Sequence, residues 1–198
     1  MRHVRRLFTM TGFLCGLLLT GAVSRGEEQS LQVGEPAPAF QCLDDQGRVW
    51  KSRDHVGKTM LVVYFYPSDF SFCCTRQAVR YHDRLRDICN EGAEVVGISG
   101  DAVEAHRLFQ ATHKLDFSLL SDDDGNIARQ FGVPLRIGGK AVIEKDHGQS
   151  IKVPRQVTAE RTTFVINKEG RIIYRDNEVS PVKDCQEVLE FLRKRNAE

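Results

Sequence analysis

Tyr64-Phe-Tyr-Pro-Ser-Asp-Phe-Ser-Phe-Cys-Cys-Thr-Arg-Gln-Ala78 is the stretch that decides how the rest of the chain reads. It completes an apolar run of strand character, Met60-Leu-Val-Val-Tyr-Phe-Tyr66, which stops at Pro67 because proline has no N–H to give to a sheet ladder. A short polar loop then delivers Cys74 to the start of a helix. The first N–H groups of a helix lack partners within it and carry the positive end of its dipole. They therefore favour a thiolate, the nucleophilic form of cysteine. Strand, turn, cysteine and helix in that order read as a reactive-thiol site.

Strand and helix patterns alternate on either side of it. Phe40-Gln-Cys-Leu43, the turn Asp44-Asp45-Gln46-Gly47 and Arg48-Val-Trp50 predict a hairpin. The near-continuous apolar character of residues 60–66 predicts a strand buried on both faces. Ala78, Tyr81, Leu85 and Ile88 recur at spacings of three and four, so one helix is expected from near Cys74 to a C-cap at Gly92. Residues 93–99 predict another strand. Asp101 reads as a helix cap, with Glu104 at the third helical position and Val103, Leu108 and Phe109 on the buried side. Residues 117–120 predict a third buried strand, and 127–131 a short helix. Residues 132–160, with two glycine clusters and alternating Val142, Ile151, Val153 and Val157, predict an irregular ribbon or insertion. A hairpin follows, residues 162–166 and 171–174 around the turn Asn167-Lys-Glu-Gly170. Ser180-Pro181 then reads as cap and first position of a last helix with Val182, Cys185, Val188, Leu189 and Leu192 on one face. This order fits a three-layer α/β domain, without internal repeats or a second domain.

The chain has 198 residues, 41% of them hydrophobic, enough for one domain with a proper core. Its formal charge is +1, but the first 26 residues hold Arg2, Arg5, Arg6 and Arg25 and no acid, so the body is slightly acidic. That balance gives no basic stripe for nucleic acid. The basic residues precede an apolar run from Leu7 to about Val23 and then Ser24-Arg25-Gly26, the order of a secretory signal. Residues 1–26 are thus expected to be a signal peptide or an uncleaved anchor, and residues 27–198 an exported domain, periplasmic or extracellular. Thr9, Thr11, Gly12, Gly16 and Thr20 make the run a weak membrane span. With Cys15 assigned to this leader, Cys42, Cys73, Cys74, Cys89 and Cys185 remain in the body. An odd number leaves at least one thiol free or paired between chains.

The chain resembles the peroxiredoxins, specifically the bacterioferritin-comigratory or peroxiredoxin Q group, in which Pro-x-x-x-Thr/Ser-x-x-Cys follows such a strand. Pro67, Ser71 and Cys74 stand at that spacing. Ala37-Pro38-Ala39-Phe40, Val96-Gly97-Ile98-Ser99-Gly100-Asp101, Leu119-Leu120-Ser121-Asp122, Phe131-Gly132-Val133 and Arg161-Thr-Thr-Phe-Val-Ile-Asn167 fall in the family's order. The resemblance covers roughly residues 31–192. It implies a thioredoxin-like three-layer α/β/α fold with a central mixed sheet, and a thiol peroxidase for hydrogen peroxide and small alkyl hydroperoxides. Cys74 would attack the peroxide and become a sulfenic acid. By the same resemblance Ser71 would hold the peroxide and Pro67 would shield the sulfur. Arg161, whose fork can face thiolate and peroxide oxygen together, would supply positive charge where thioredoxin-like oxidoreductases present a proline. Gln77, in the first turn after Cys74, reads either as orienting Arg161 or as a surface glutamine.

Two features depart from that group. Phe72-Cys73 replaces the usual Pro-Gly, and Val79 stands where the common resolving cysteine would be. Cys89 lies fifteen residues beyond Cys74, about 22 Å along one continuous helix. Cys73 is adjacent, and a vicinal bond would be strained. Cys185 and Cys42 read as packing. A one-cysteine route, with an external thioredoxin-like protein or small thiol attacking the sulfenic acid, is favoured. No cofactor or metal is implied: the six histidines lack ligand spacing, Asp122-Asp123-Asp124-Gly125 reads as turn and cap, and Gly138-Gly139-Lys140 is no phosphate loop. A monomer or homodimer is expected. The alternatives are an exported thioredoxin-like thiol:disulfide oxidoreductase, for which Cys73-Cys74 has the wrong spacing, and a non-catalytic binding protein on the same fold.

Overall fold

The computed structural model describes residues 31–145 and 149–197, so the expected leader at residues 1–26 lies outside the described residues. The elements in order are β1 (Gln41–Asp44), β2 (Val49–Lys51), β3 (Met60–Phe65), α1 (Phe72–Asp83), α2 (Leu85–Asn90), β4 (Ala93–Ser99), α3 (Val103–His113), β5 (Ser118–Ser121), α4 (Asn126–Gln130), β6 (Leu135–Ile137), β7 (Lys140–Lys145), β8 (Gln149–Pro154), β9 (Val157–Ala159), β10 (Thr162–Ile166), β11 (Ile172–Asp176) and α5 (Asp184–Asn196). Seven strands form one mixed sheet in the order β11-β10-β3-β4-β5-β1-β2. β3, β4 and β5 are parallel, and the outer strands pair antiparallel.

β3 is buried at every residue, as its apolar run predicts. Successive side chains of a strand point to opposite faces. Met60, Val62 and Tyr64 accordingly join a core with Tyr81, Ile88, Phe109, Val188 and Leu192, beneath α1, α2, α3 and α5. Leu61, Val63 and Phe65 join a second core on the opposite face with Phe40, Trp50, Phe164 and, from α4 and its C-cap, Ile127 and Phe131. Helices thus cover both faces of a mixed sheet, the thioredoxin-like arrangement expected. Among the described residues, no helix is long and apolar enough to cross a membrane.

Several boundaries differ from the sequence reading. The helix expected to run from Cys74 to Gly92 is two helices, because Arg84 leaves the helical region at φ −109° and ψ 6°. The Ile88 N–H still reaches the Arg84 carbonyl at 3.0 Å, so the apolar spacing continues across the break and conceals it. Asp101 does not cap α3; Ala102 holds that position, and the Asp101 carboxylate turns inward. Leu108 is exposed, and Ala105 and His106 take buried positions beside Phe109. Residues 181–183 form a turn closed on the Ser180 carbonyl by the N–H groups of Lys183 and Asp184, so α5 begins three residues later than Pro181 suggests.

The stretch 132–160 is indeed a ribbon. β6 pairs with β9, and β7 with β8 beyond them. A side chain on Gly100 would collide with the Val157 carbonyl, so glycine lets the ribbon's base close on the end of β4. That closure brings Arg155 to the loop after β3.

Candidate active site

Cys74 stands where β3 and β4 end, at the carboxyl edge of the parallel strands, where open α/β sheets present their ligand sites. The loop of residues 67–71 leads into α1, and Ser71 is its N-cap. Ser71 Oγ accepts from the Cys74 N–H at 3.3 Å and donates to the Ser68 carbonyl at 3.3 Å. Cys74 is therefore the third helical residue, with its backbone fixed by the cap. It is only 1% exposed. Phe70, just before the cap, is left-handed at φ 57°, a conformation costing a bulky residue about 1–3 kcal/mol. Its ring packs on Phe109 and His113 with centroids 5.1 and 6.2 Å away.

Arg161 precedes β10, whose Thr162 pairs with Phe65 of β3, and this register carries the guanidinium to the sulfur. Arg161 Nη2 donates to Cys74 Sγ at 3.2 Å, and Nη1 donates to Gln77 Oε1. Gln77, one turn after Cys74, is fully buried and donates through Nε2 to Asp184 Oδ2 at 2.5 Å. Tyr81 and Thr163 hydroxyls donate to the same oxygen at 2.8 and 3.1 Å. A continuous chain of donors and acceptors thus runs from the thiol to the first residue of α5. Burial raises the Asp184 carboxyl to about 6, against the pull of those three hydrogen bonds.

A second network fixes the loop from below. The Asp69 N–H donates to Asp101 Oδ2 at 2.7 Å, the Tyr66 hydroxyl to Asp69 Oδ1 at 2.7 Å, and His106 Nδ1 lies 2.8 Å from Asp69 Oδ2. Arg155 donates to the Pro67 carbonyl and, at 2.6 Å, to Ser68 Oγ, with Asp101 Oδ2 3.4 Å away. Two carboxylates, one arginine and one histidine are nearly closed to solvent here. Burial raises the Asp101 carboxyl, the charge of Asp69 adding and that of Arg155 opposing. For His106 burial acts downward, yet the Asp69 charge and hydrogen bond with the Asp101 charge outweigh it and raise the imidazole.

The structure brings Pro67, Ser71, Cys74 and Arg161 into one site, with Gln77 orienting the arginine. It assigns Ser71 to the helix cap and Pro67's carbonyl to Arg155. Cys73 and Cys89 are exposed; Cys42 is half-buried and Cys185 buried. Burial first, then Asp122 and Asp44, push the Cys42 thiol up to about 12. Burial and Asp184 do the same for Cys185. A cavity of about 550 Å³ beside Cys42, Arg107 and Asp122 shares no residue with the thiol site. Sequence reasoning missed Asp184, which looked like any acid in a helix's first turn, and Arg155, which lay in the least periodic stretch. Asp69 and His106 carried no local signal, since their pairing spans 37 residues.

Residues 33–175 match the family model described as the AhpC/TSA family. The relative named peroxiredoxin Q, chloroplastic, from Sedum lineare is 35% identical over 162 residues, 81% of this chain and 77% of that one. The putative peroxiredoxin bcp of Coxiella burnetii is 36% identical over 144 residues, 72% and 86% of the two chains. Among solved structures, the peroxidoxin BcpB of Mycobacterium tuberculosis superposes with a TM-score of 0.70 at 27% identity, covering 83% of this chain and 97% of that one. The bacterioferritin comigratory protein of Xanthomonas campestris, described for its alkyl peroxide reduction activity, gives 0.65 at 27%, covering 79% and 91%. Export, free or anchored, is overturned by such relatives: those of Sedum lineare and Populus jackii are named chloroplastic. A basic, acid-free start with hydroxyl residues is a composition that secretory and organellar leaders share, so it did not discriminate.

Proposed function

The chain belongs to the AhpC/TSA family, as a thiol-dependent peroxidase of the peroxiredoxin Q kind, and on that premise we propose that Cys74 is the nucleophile that reduces hydrogen peroxide and small alkyl hydroperoxides. The observation that carries this is the Arg161 donor 3.2 Å from a capped helix-terminal sulfur. The thiolate of Cys74 attacks one peroxide oxygen, forming an S–O bond as the O–O bond breaks. Sulfur loses two electrons and becomes a sulfenic acid; the other oxygen leaves with the bonding pair and takes a proton to become water or alcohol. Arg161 opposes the charge that develops on the leaving oxygen, as oxyanion donors do. Pro67 shields the sulfur. Ser71 contributes through the cap that fixes the Cys74 N–H, and its hydroxyl is also within the loop that would meet the peroxide. The near closure of Cys74 supports a preference for small hydroperoxides.

The sulfenic acid is then attacked by an external thiol, releasing water and leaving a mixed disulfide, which a second thiol reduces. The spacing of the body's cysteines supports this one-cysteine route. Cys42 and Cys185 are held as thiols, while the helix break at Arg84 removes the single-axis spacing that set Cys89 aside, so exposed Cys89 is the position the cysteine-replacement test must include. The reductant is a thioredoxin-like protein or a small thiol, and the protein acts as a monomer or homodimer. The test is peroxide consumption with dithiothreitol as donor, by wild type and Cys74→Ser. Turnover by wild type alone is expected; turnover by Cys74→Ser would remove Cys74 from the reaction.

A further inference from the structure

The geometry points to Asp184 as a positioning residue for the peroxidase reaction: its carboxylate fixes the Gln77 amide the one way round that turns a carbonyl oxygen to Arg161, and so aims the Arg161 fork at Cys74. This rests on the peroxidase reading of Cys74. A guanidinium offers only N–H donors, and a carboxylate only acceptors. Gln77 stands between the two without solvent contact. Its Oε1 must therefore face Arg161 and its Nε2 must face Asp184, as observed. Were the amide reversed, two N–H groups would oppose each other at Arg161 and two oxygens at Asp184.

The carboxylate is itself anchored from two directions, by Tyr81 of α1 and Thr163 of β10. Because Asp184 opens α5, the last helix holds the fork that faces the first helix's thiol. The groups that face Asp184 or act on its charge are Gln77 and Tyr81 from α1, Thr163 from β10, Tyr64 from β3, Tyr174 and Asp176 from β11, and Cys185 on its own helix. A protonated Asp184 has an O–H to donate. It then accepts the reversed amide, and Gln77 no longer dictates where Arg161 points. Protonation is within reach of ordinary conditions, since burial raises this carboxyl to about 6. Acidification should therefore act in opposite senses on activity and fold. The fork is released as pH falls through that value, while the folded state gains stability there by binding a proton that the unfolded chain does not hold until nearer its ordinary value.

The experiment is the second-order rate constant of Cys74 oxidation by hydrogen peroxide between pH 5 and 8, for wild type, Asp184→Asn and Gln77→Ala, with melting temperatures alongside. Wild type should lose about tenfold from pH 7.5 to pH 5, with a midpoint near pH 6. Asp184→Asn should be at least tenfold slower at pH 7.5 and lack that midpoint. Gln77→Ala breaks the relay while leaving the Asp184 side chain in place with its Tyr81 and Thr163 donors, and should lack it too, which keeps a test in hand if Asp184→Asn does not fold. A purely structural role would lower the melting temperature and keep the midpoint, which overturns the assignment. An active wild type with Asp184→Asn within threefold at pH 7.5 overturns it alone. A wild type that leaves peroxide and Cys74 unchanged overturns the peroxidase reading and this inference with it.

Discussion

Replacing Arg161 with alanine removes, among the described residues, the one cation whose donor reaches the sulfur, at 3.2 Å. Two full charges at that distance interact by about 5 kcal/mol at an effective dielectric constant near 20, an upper bound because the transition state carries only part of a charge on each oxygen. Loss of a single preorganised donor to a developing oxyanion costs about 2.7–4 kcal/mol in measured cases, which is a factor of about 100 to 1000. The two figures agree on at least a hundredfold drop in the rate of Cys74 oxidation. Arg161→Lys should recover part of it, because an ammonium reaches the sulfur or Gln77 but does not span both as the guanidinium fork does. The assay is single-turnover loss of free thiol after mixing reduced protein with hydrogen peroxide, with thermal melting to show that the variants fold. Arg161→Ala within threefold of wild type, on an intact fold, would refute the assignment of positive charge to this residue.

Thermal stability should be higher at pH 5.5 than at pH 8. Asp184, raised from 3.8 to about 6, contributes on the order of 3 kcal/mol once pH is below both values, of which about 1 kcal/mol is gained between pH 8 and 5.5, and the raised Asp101 and Asp122 act in the same direction. His106, also raised, gives stability present at low pH and lost as pH rises through its folded value, so a melting temperature that climbs steadily from pH 5.5 to 8 contradicts the buried-charge picture. Arg155→Ala leaves Asp101 buried without its partner and should destabilise by about 3–5 kcal/mol in urea unfolding; a loss below 1 kcal/mol would mean the clamp on residues 67–68 is idle. A variant with Cys42, Cys73, Cys89 and Cys185 all replaced by serine or alanine should keep peroxide turnover with dithiothreitol within about threefold, and loss of turnover with an intact fold would identify a resolving thiol among them.

The sheet was legible from the chain because its strands are apolar runs bounded by Pro67, Gly92 and Gly170, where one local property, burial, dominates. Boundaries set by a single residue's backbone were not. Arg84 breaks the helix without disturbing the spacing of Tyr81, Leu85 and Ile88. Ser180-Pro181 carries a start signal, yet the following turn delays α5 to Asp184. That Cys74 and Arg161 meet could be anticipated because their residue types and spacing are themselves the signal. The supporting half could not, since Asp184 meets Gln77 across 107 positions and Arg155 meets Pro67 across 88. Nothing in the neighbourhood of either residue records the contact. Asp101 was misread for a related reason: an acid before a helix suits a cap, and only the folded loop shows that the Asp69 N–H claims it first.

Everything proposed for this site depends on Cys74 being the thiol that meets the peroxide. The most direct measurement adds one equivalent of hydrogen peroxide to the reduced protein, traps the remaining free thiols, and maps every cysteine by peptide mass. Prompt oxidation at Cys74 to a sulfenic acid is expected, trapped as such or as a mixed disulfide with added thiol, while Cys42 and Cys185 remain thiols. A Cys74 that is still a free thiol after minutes, or oxygen found first on exposed Cys73 or Cys89, would contradict it.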